Sequence, residues 1–336
     1  GAWSVIIGRV LGAAASLAAA FALSRWRPLA TFRWSAVIQD ISFNVGVLVN
    51  SVIGFLARNI DYWIVGRLGV RALGVYFIAY VLPNVLKRRL ALAGTEVMFP
   101  ILSRMTDERE RFGRAFLDST RFITIAGFPM MFGLAVVADS VVRLLFGIAY
   151  LDAIRPTSIL AVASGVSILF TTMNPVFLAD GVPLRASVIP VLRILVTGAG
   201  MVIALEVGSL VAVSWAVFAG IMAAVTLGEI LVVRRLDLRL RDVARALAPA
   251  TVCSLVMVAV VLGAKRILGE AALTWPGLVA VVAVGAAAYL ACGMLMFRRA
   301  FQTFLKNLRT AVVPSRRRAD GETGAAELAA GVGDGA

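Results

Sequence analysis

The chain is a succession of long apolar stretches separated by short polar links. A helix needs about 20 mainly apolar residues to cross the hydrocarbon core of a bilayer. Nine stretches reach about that length, and the links between them mostly carry charged residues, Gly or Pro. The stretches cover residues 3–23, 43–66, 73–100, 122–146, 157–178, 186–205, 210–233, 246–263 and 273–297. This pattern predicts an all-α integral membrane protein with about nine transmembrane helices.

The third stretch is unusually long and contains the basic run Lys87, Arg88 and Arg89. Dividing the stretch at this run would leave two pieces that are too short to cross the membrane. It would also place every later link on the opposite side of the membrane. At a rise of 1.5 Å per residue, one helix over residues 73–104 would be about 48 Å long. We therefore predict a single long helix with a kink.

The overall composition agrees with a membrane environment. Hydrophobic residues make up 60% of the chain and charged residues 15%, and the mean hydropathy is +0.92. Soluble domains contain about 45–50% apolar residues. The net charge of +14 would suggest a nucleic-acid partner in a soluble protein. Here the basic residues cluster in the links, as the positive-inside rule describes, so no nucleic-acid partner is expected.

Basic residues are concentrated in one alternating set of links and are sparse in the other. The rich set includes the links after the first, third and seventh stretches and the C-terminal segment. Because Lys and Arg accumulate on the cytoplasmic side, the C-terminus is expected inside and the N-terminus outside. Residues 311–336 combine a basic run with Gly, Ala, Asp and Glu. They are predicted to form a disordered cytoplasmic tail.

The residue types also limit the chemistry of the chain. There is no His, and the two cysteines, Cys253 and Cys292, each lie within an apolar stretch. This arrangement predicts neither a disulfide framework nor a metal site. No cofactor is expected.

Several short motifs occur in an order that resembles a known family. Residues 55–80 read FLARNIDYWIVGRLGVRALGVYFIAY. FPILSRM at 99–105, VVRLLFG at 141–147 and DGVPLR at 180–185 follow. This series resembles the C-terminal part of the polysaccharide-transporter branch of the MOP superfamily, the Wzx-type flippases for O-antigen, colanic acid and other exopolysaccharide repeat units. The resemblance extends over about residues 1–245, and the last two stretches match only in hydropathy.

The resemblance implies a fold of about twelve to fourteen helices, arranged in two six-helix lobes around a central cavity. Nine helices that start outside fit the last nine of a fourteen-helix protein that starts inside. The chain is therefore expected to be a fragment. In this interpretation residues 1–24 are the last helix of the N-terminal lobe, 42–233 form the C-terminal lobe, and 246–297 are two additional helices.

Ionisable side chains within the predicted spans are the candidate binding residues. Each costs about 2.5–3.5 kcal/mol in hydrocarbon and therefore tends to face a cavity or a partner. Arg58 and Asp61 are three residues apart on one helix face. They form either an anion-handling pair at the mouth of a cavity or a structural ion pair. Asp139 and Arg143 are four residues apart and are predicted to form a structural ion pair near the outer surface.

The long third span contains the residue most favoured as a substrate contact. Arg89 and Glu96 are seven residues apart and share a helix face. Arg89 either contacts the substrate or merely pairs with Glu96. Lys87 and Arg88 are kept as candidates, but their side chains are expected to point elsewhere and to reach the headgroups. Arg193, in the sixth span, is expected to extend towards the inner membrane surface.

The resemblance implies a flippase that moves a polyprenyl-diphosphate-linked oligosaccharide across the cytoplasmic (inner) membrane by alternating access. The diphosphate requires cations, and Arg is suited to bidentate phosphate contacts. Asn44, Asn50, Asn59 and Asn84 are candidates for the polar walls that the sugars require. The expected partners are the lipid-linked oligosaccharide and membrane lipids, and polysaccharide polymerase or export proteins are further candidates.

Other functions remain open from the residues alone. Within the same superfamily, a lipid II flippase or a drug antiporter fits the same fold. A membrane-embedded polyprenyl-dependent glycosyltransferase is the alternative from another class. Such an enzyme is expected to carry catalytic groups on a substantial outer loop, whereas the links here are short. The chain is therefore expected not to be an enzyme.

Overall fold

The computed structural model of the 336-residue chain describes residues 2–23, 34–102, 109–179, 187–298 and 300–304. These residues form ten α-helices and two short 3-10 segments, with no β-strand among them. The 3-10 segments are Ile148–Ala153 and Gly269–Leu273. The helices are α1 (Ala2–Leu23), α2 (Trp34–Gly66), α3 (Val70–Leu102), α4 (Arg109–Phe146), α5 (Ile154–Ser167), α6 (Phe170–Ala179), α7 (Val188–Val207), α8 (Leu210–Arg235), α9 (Leu240–Leu268) and α10 (Trp275–Met296). The prediction of an all-α protein is confirmed.

Eight helical segments in the described part of the chain are long and apolar enough to cross a membrane. They account for every predicted span except the second, which corresponds to α2. Within its length α2 carries Asn50, Arg58, Asn59 and Asp61, which lower its hydropathy. The chain is a multi-pass membrane protein, and a helix lies at each of the nine predicted spans.

The third predicted span forms one helix, as expected. Helix α3 continues from Val70 to Leu102 without interruption at the basic run 87–89. The fifth predicted span differs, because α5 ends at Ser167 and α6 begins at Phe170. In the turn between them the backbone N–H groups bond three residues back. The hydroxyls of Ser167, Thr171 and Thr172 donate to carbonyls at this break, so its polar groups are satisfied within the apolar interior.

The chain divides into two compact units, residues 1–45 and 46–336. We call the second unit the lobe. The division at residues 24, 42, 233 and 246 that the sequence suggests stays a prediction. The tail predicted at 311–336 lies outside the described residues.

Within the lobe, α7 and α8 form a hairpin that is held by small residues. Gly208 ends α7 with a φ of 64°, and the Ser209 side chain accepts a hydrogen bond from Val211 N at the start of α8. A methyl group added to Gly200 would lie 2.8 Å from the Ala216 Cβ, and one added to Gly220 would overlap Thr197. Small residues at these positions let the two backbones approach closely, which is the usual way in which helices pack within membranes.

The α9–α10 hairpin packs on α4 through a second core that includes Ile125, Met257 and Tyr289. Polar contacts reinforce it at both ends. The Tyr289 hydroxyl donates to the Ile125 carbonyl at 2.7 Å, and the Ser140 hydroxyl donates to the Ala272 carbonyl at 2.9 Å.

An ion pair also joins α4 to α9, and it corrects one prediction. Asp139 pairs with Lys265, whose Nζ lies 2.5 Å from Asp139 Oδ1 and 2.9 Å from the Val136 carbonyl oxygen. Arg143, the partner predicted from the four-residue spacing, is exposed. The pairing differs because the Asp139 carboxylate faces α9 and not the next turn of its own helix.

Candidate functional site

Charged and polar side chains from α2, α3 and α7 come together inside the lobe. We call this group the cationic cluster. Its members are Arg58 and Asp61 on α2, Tyr76, Tyr80 and Lys87 on α3, and Arg193 on α7. Three of them are cations and one is a carboxylate, so the cluster has an excess of positive charge within membrane-spanning helices.

Asp61 supplies the carboxyl group of the cluster and is only 2% exposed. Its Oδ2 accepts a hydrogen bond of 2.8 Å from the Tyr76 hydroxyl, whereas Oδ1 has no hydrogen-bond partner. The cation that acts on this carboxylate is Arg193 of α7. Asp61 therefore connects α2 with α3 through a hydrogen bond, and Arg193 on α7 lies within electrostatic range of it.

The predicted pairing of Arg58 with Asp61 does not form. Asp61 turns into the lobe towards α3, while Arg58 stays exposed and its guanidinium lies back along α2. Arg58 Nη1 is 3.2 Å from the position that a Cβ on Gly54 would occupy. The two side chains share a helix face, but Tyr76 supplies the hydrogen bond that Asp61 accepts. The structural ion pair suggested by the spacing is corrected accordingly.

Three tyrosines form an aromatic wall beside Asp61. The ring centroids of Tyr62 and Tyr76 are 5.5 Å apart, and those of Tyr76 and Tyr80 are 5.6 Å apart. Tyr76 and Tyr80 are both buried, and their four-residue spacing places them on one face of α3. The Tyr80 hydroxyl interacts with the Arg193 side chain. The wall therefore holds Arg193 near Asp61.

Lys87 lies two turns beyond Tyr80 on the same face of α3. Its Nζ is 3.4 Å from the Ser167 hydroxyl, at the break between α5 and α6. Arg58 and Arg193 both lie within electrostatic range of its ammonium group. The expectation that Lys87 points away towards the headgroups is wrong. The direction of the Lys87 side chain could have been predicted from its spacing to Tyr80, because residues seven apart share a helix face.

Arg193 is also placed differently from the expectation. It was predicted to extend towards the inner membrane surface, but its side chain points into the lobe and interacts with Asp61 and Tyr80. Its Nε is buried and has no hydrogen-bond partner. This donor is therefore unsatisfied within the described structure.

Arg88 and Asn59 do not join the cluster, and two other candidates cannot be placed in it. Arg88 is exposed, and the side chains of Arg89 and Glu96 lie outside the described residues. Asn59 Nδ2 donates to the Phe55 carbonyl at 2.8 Å, one turn earlier in its own helix.

Of the remaining amides, Asn50 Oδ1 accepts a 3.1 Å hydrogen bond from the Ser187 hydroxyl, which joins α2 to the start of α7. Asn50 therefore serves packing in this structure. The side chain of Asn44 is outside the described part of the chain.

A cleft of about 770 Å³ lies apart from the cluster, between the starts of α3, α5 and α8. Arg71, Asp152 and Arg155 are among its lining residues. Arg71 and Asp152 form an ion pair at 3.9 Å, with side chains 84% and 72% exposed. Pairs this exposed contribute about 0.2–1 kcal/mol. Arg71 is therefore a useful control for arginines of the cluster.

One buried carboxylate is not among the candidate residues predicted from the sequence. Glu229 lies on α8 and is 8% exposed, and neither carboxylate oxygen has a hydrogen-bond partner. The signal in the sequence was a single acidic residue within the apolar seventh span. An ionisable residue at such a position is a functional candidate.

Comparison with known sequences gives a family match and several relatives, each over part of the chain. Residues 1–155 match a family described as "Polysaccharide biosynthesis protein". The teichuronic acid biosynthesis protein TuaB of Bacillus subtilis (strain 168) is 28% identical over 192 residues, which are 57% of this chain and 40% of TuaB. The succinoglycan biosynthesis transport protein ExoT of Rhizobium meliloti (strain 1021) is 27% identical over 176 residues, 52% of this chain and 36% of ExoT.

A third relative is the lipopolysaccharide biosynthesis protein WzxC of Escherichia coli (strain K12). It is 28% identical over 152 residues, which are 45% of this chain and 30% of WzxC. The chain thus aligns with well under half the length of each of these relatives.

Among solved structures, the chain is similar in fold to the lipid II flippase MurJ in an inward closed conformation. The TM-score is 0.58 at 15% sequence identity, over 80% of this chain and 56% of MurJ. This similarity shows the fold and carries no statement about the substrate. Together the matches confirm the resemblance to the polysaccharide-transporter branch of the MOP superfamily that the sequence motifs indicate.

Proposed function

We propose that this chain takes part in moving a polyprenyl-diphosphate-linked oligosaccharide across the cytoplasmic membrane, for the biosynthesis of a surface polysaccharide. The relatives include a transport protein for succinoglycan biosynthesis, and this supports a transporter rather than an enzyme. The observation that carries the proposal is the excess of positive charge in the cationic cluster.

The physical argument concerns the cost of that charge. Cations that are taken out of water lose hydration energy, and only a suitable anion restores it. Asp61 offers one carboxylate to two partly buried cations, Lys87 and Arg193, while the third cation, Arg58, is exposed. A diphosphate group supplies the missing negative charge and several acceptor oxygens. The cluster is therefore better matched to a ligand with an anionic head than to a neutral or cationic drug.

Individual residues have distinct roles in this proposal. Arg193 binds a phosphate oxygen through its guanidinium once the side chain moves to expose the buried Nε, and Lys87 adds a point charge from α3. Asp61 acts as a positioning residue, because it accepts from Tyr76 and attracts Arg193. Arg58, on the exposed side, attracts the anionic head towards the cluster.

We also propose the orientation and organisation that the sequence suggests. The C-terminus faces the cytoplasm, because the links on that side are rich in Lys and Arg. Residues 42–233 form a bundle of six membrane spans that contains the cluster, and residues 246–297 are two additional helices. The separate core between α4, α9 and α10 supports this division.

A binding experiment tests the proposal on the chain itself. The purified chain in lipid nanodiscs is titrated with a polyprenyl diphosphate and, separately, with the corresponding polyprenyl monophosphate and alcohol. The diphosphate is expected to bind most tightly and the alcohol least. Arg193→Ala and Lys87→Ala are each expected to weaken diphosphate binding about tenfold, which corresponds to about 1.4 kcal/mol.

Arg71→Ala is the matched control, since it removes an exposed arginine outside the cluster and should leave binding unchanged. Equal affinity for the diphosphate and the alcohol would refute a phosphate site. An unchanged affinity in both cluster variants would place the site elsewhere. Lipid II and other diphosphate-linked saccharides, compared in the same assay, separate the possible headgroups.

A further inference from the structure

Glu229 lies in the packed interior of the lobe, on the face of α8 that is buried against its neighbours. Both carboxylate oxygens are inaccessible and lack a hydrogen-bond partner. The preceding residue shows how tight the packing is at this level. A methyl group on Gly228 would come within 2.7 Å of the Met173 sulfur on α6 and 3.4 Å of Ile189 Cδ1 on α7.

Within the part of the chain that the structure describes, no charged group acts on the Glu229 carboxylate. The helices packed against α8 are α5, α6 and α7. Their titratable residues in the described part are Arg155 on α5 and Arg193 and Glu206 on α7, while α6 has none. None of these side chains acts on the Glu229 carboxylate, and Arg193 is engaged with Asp61 and Tyr80.

A carboxylate with neither counterion nor donor is strongly disfavoured in a dry environment, and such a group becomes neutral by taking up a proton. A neutral carboxyl group is tolerated far better at the same place. The ligand that fits this site is therefore a proton. The tight packing, the absence of partners and the chemistry of the carboxyl group all indicate it.

We propose that Glu229 is a proton-binding site, separate from the cationic cluster, that is occupied in the packed state of the lobe. Release requires water to reach α8. The O–H bond of the carboxyl group then breaks, the electron pair stays on the carboxylate, and the proton passes to water. Opening and closing of the lobe core at α8 is thereby linked to proton release and uptake.

Infrared spectroscopy of the purified chain in nanodiscs tests the proposal directly. A protonated carboxylic acid has its own C=O stretching band, distinct from that of a carboxylate. The wild type is expected to show this band near pH 7, and Glu229→Gln is expected to abolish it. Glu206→Gln is the matched control, because Glu206 is an exposed glutamate on α7. It should leave the band unchanged.

The dependence of thermal stability on pH gives a second readout. A proton bound in the folded state but not in the unfolded state stabilises the fold, and this stabilisation is lost as the pH rises. The wild-type Tm should therefore fall between about pH 5 and about pH 9 by more than that of Glu229→Gln. Glu206→Gln should follow the wild type.

Two results would overturn the proposal. One is a protonated-acid band that persists unchanged in Glu229→Gln. The other is the absence of such a band from the wild type across the pH range. If Glu229→Gln does not fold, Glu229→Asp keeps the acid and must shift the frequency of the band. An unshifted band in Glu229→Asp would assign the proton to another residue.

Discussion

Replacing Asp139 by Asn, or Lys265 by Met, removes one member of the ion pair that joins α4 to α9. Lys265 Nζ contacts both Asp139 Oδ1, at 2.5 Å, and the Val136 carbonyl oxygen, at 2.9 Å. Each substitution leaves the other partner without its counterion. We expect both variants to be less stable than the wild type, because the remaining charge lies partly within the protein.

The magnitude follows from the burial of the pair. The side chain of Lys265 is 17% exposed and that of Asp139 is 33% exposed. Breaking a buried pair from one side costs about 3–5 kcal/mol, whereas exposed pairs contribute about 0.2–1 kcal/mol. A pair with this intermediate exposure should therefore cost about 2 kcal/mol for either single substitution. The double variant should lose less than the sum, with a coupling energy of about 1 kcal/mol.

Denaturation in mixed micelles, followed by tryptophan fluorescence, measures these differences. Trp275 at the start of α10 reports on the hairpin that the ion pair holds. Arg143→Ala is the matched control, because Arg143 is the partner that spacing within α4 predicted and is exposed in the structure. Additive losses for Asp139→Asn and Lys265→Met would contradict the pairing. A loss for Arg143→Ala as large as that for Lys265→Met would restore the pairing predicted from the sequence.

Two further predictions concern packing and topology. Gly220→Ala should destabilise the chain by about 1–3 kcal/mol, because the new methyl group overlaps Thr197. Gly198 has open space around it, so Gly198→Ala should be neutral or slightly stabilising in the same assay. In a background without native cysteines, Asp152→Cys should react with an impermeant thiol reagent in intact cells and Arg241→Cys should not. Labelling of Arg241→Cys alone would reverse the proposed orientation.

Hydropathy predicted the helices well because segment length and apolar character are local properties. A bilayer accepts few structures besides helices, so an apolar stretch of sufficient length has essentially one outcome. The break between α5 and α6 could not be predicted from hydropathy, because the residues around it remain apolar. Its carbonyls are satisfied by the hydroxyls of Ser167, Thr171 and Thr172, which change the mean hydropathy little.

Charge partners were predicted poorly because spacing within one helix describes only that helix. Asp139 has an arginine one turn away, yet it pairs with Lys265 on α9, 126 residues further along the chain. Asp61 likewise accepts from Tyr76 and attracts Arg193, on two other helices. The group with which a charged side chain pairs depends on how the helices pack against each other. That packing is set by contacts between residues far apart in sequence.

The α7–α8 hairpin carries two ionisable side chains of the lobe whose burial is energetically unfavourable. Arg193 lies on α7 and Glu229 on α8, and the helices approach so closely at Gly200 and Gly220 that neither can slide freely past the other. A displacement of α7 that moves Arg193 would therefore also change the contacts of α8, the helix that carries Glu229. Because Arg193 has an unpaired Nε and Glu229 has two unpaired oxygens, both helices of this hairpin carry buried polar atoms that the described structure leaves unsatisfied.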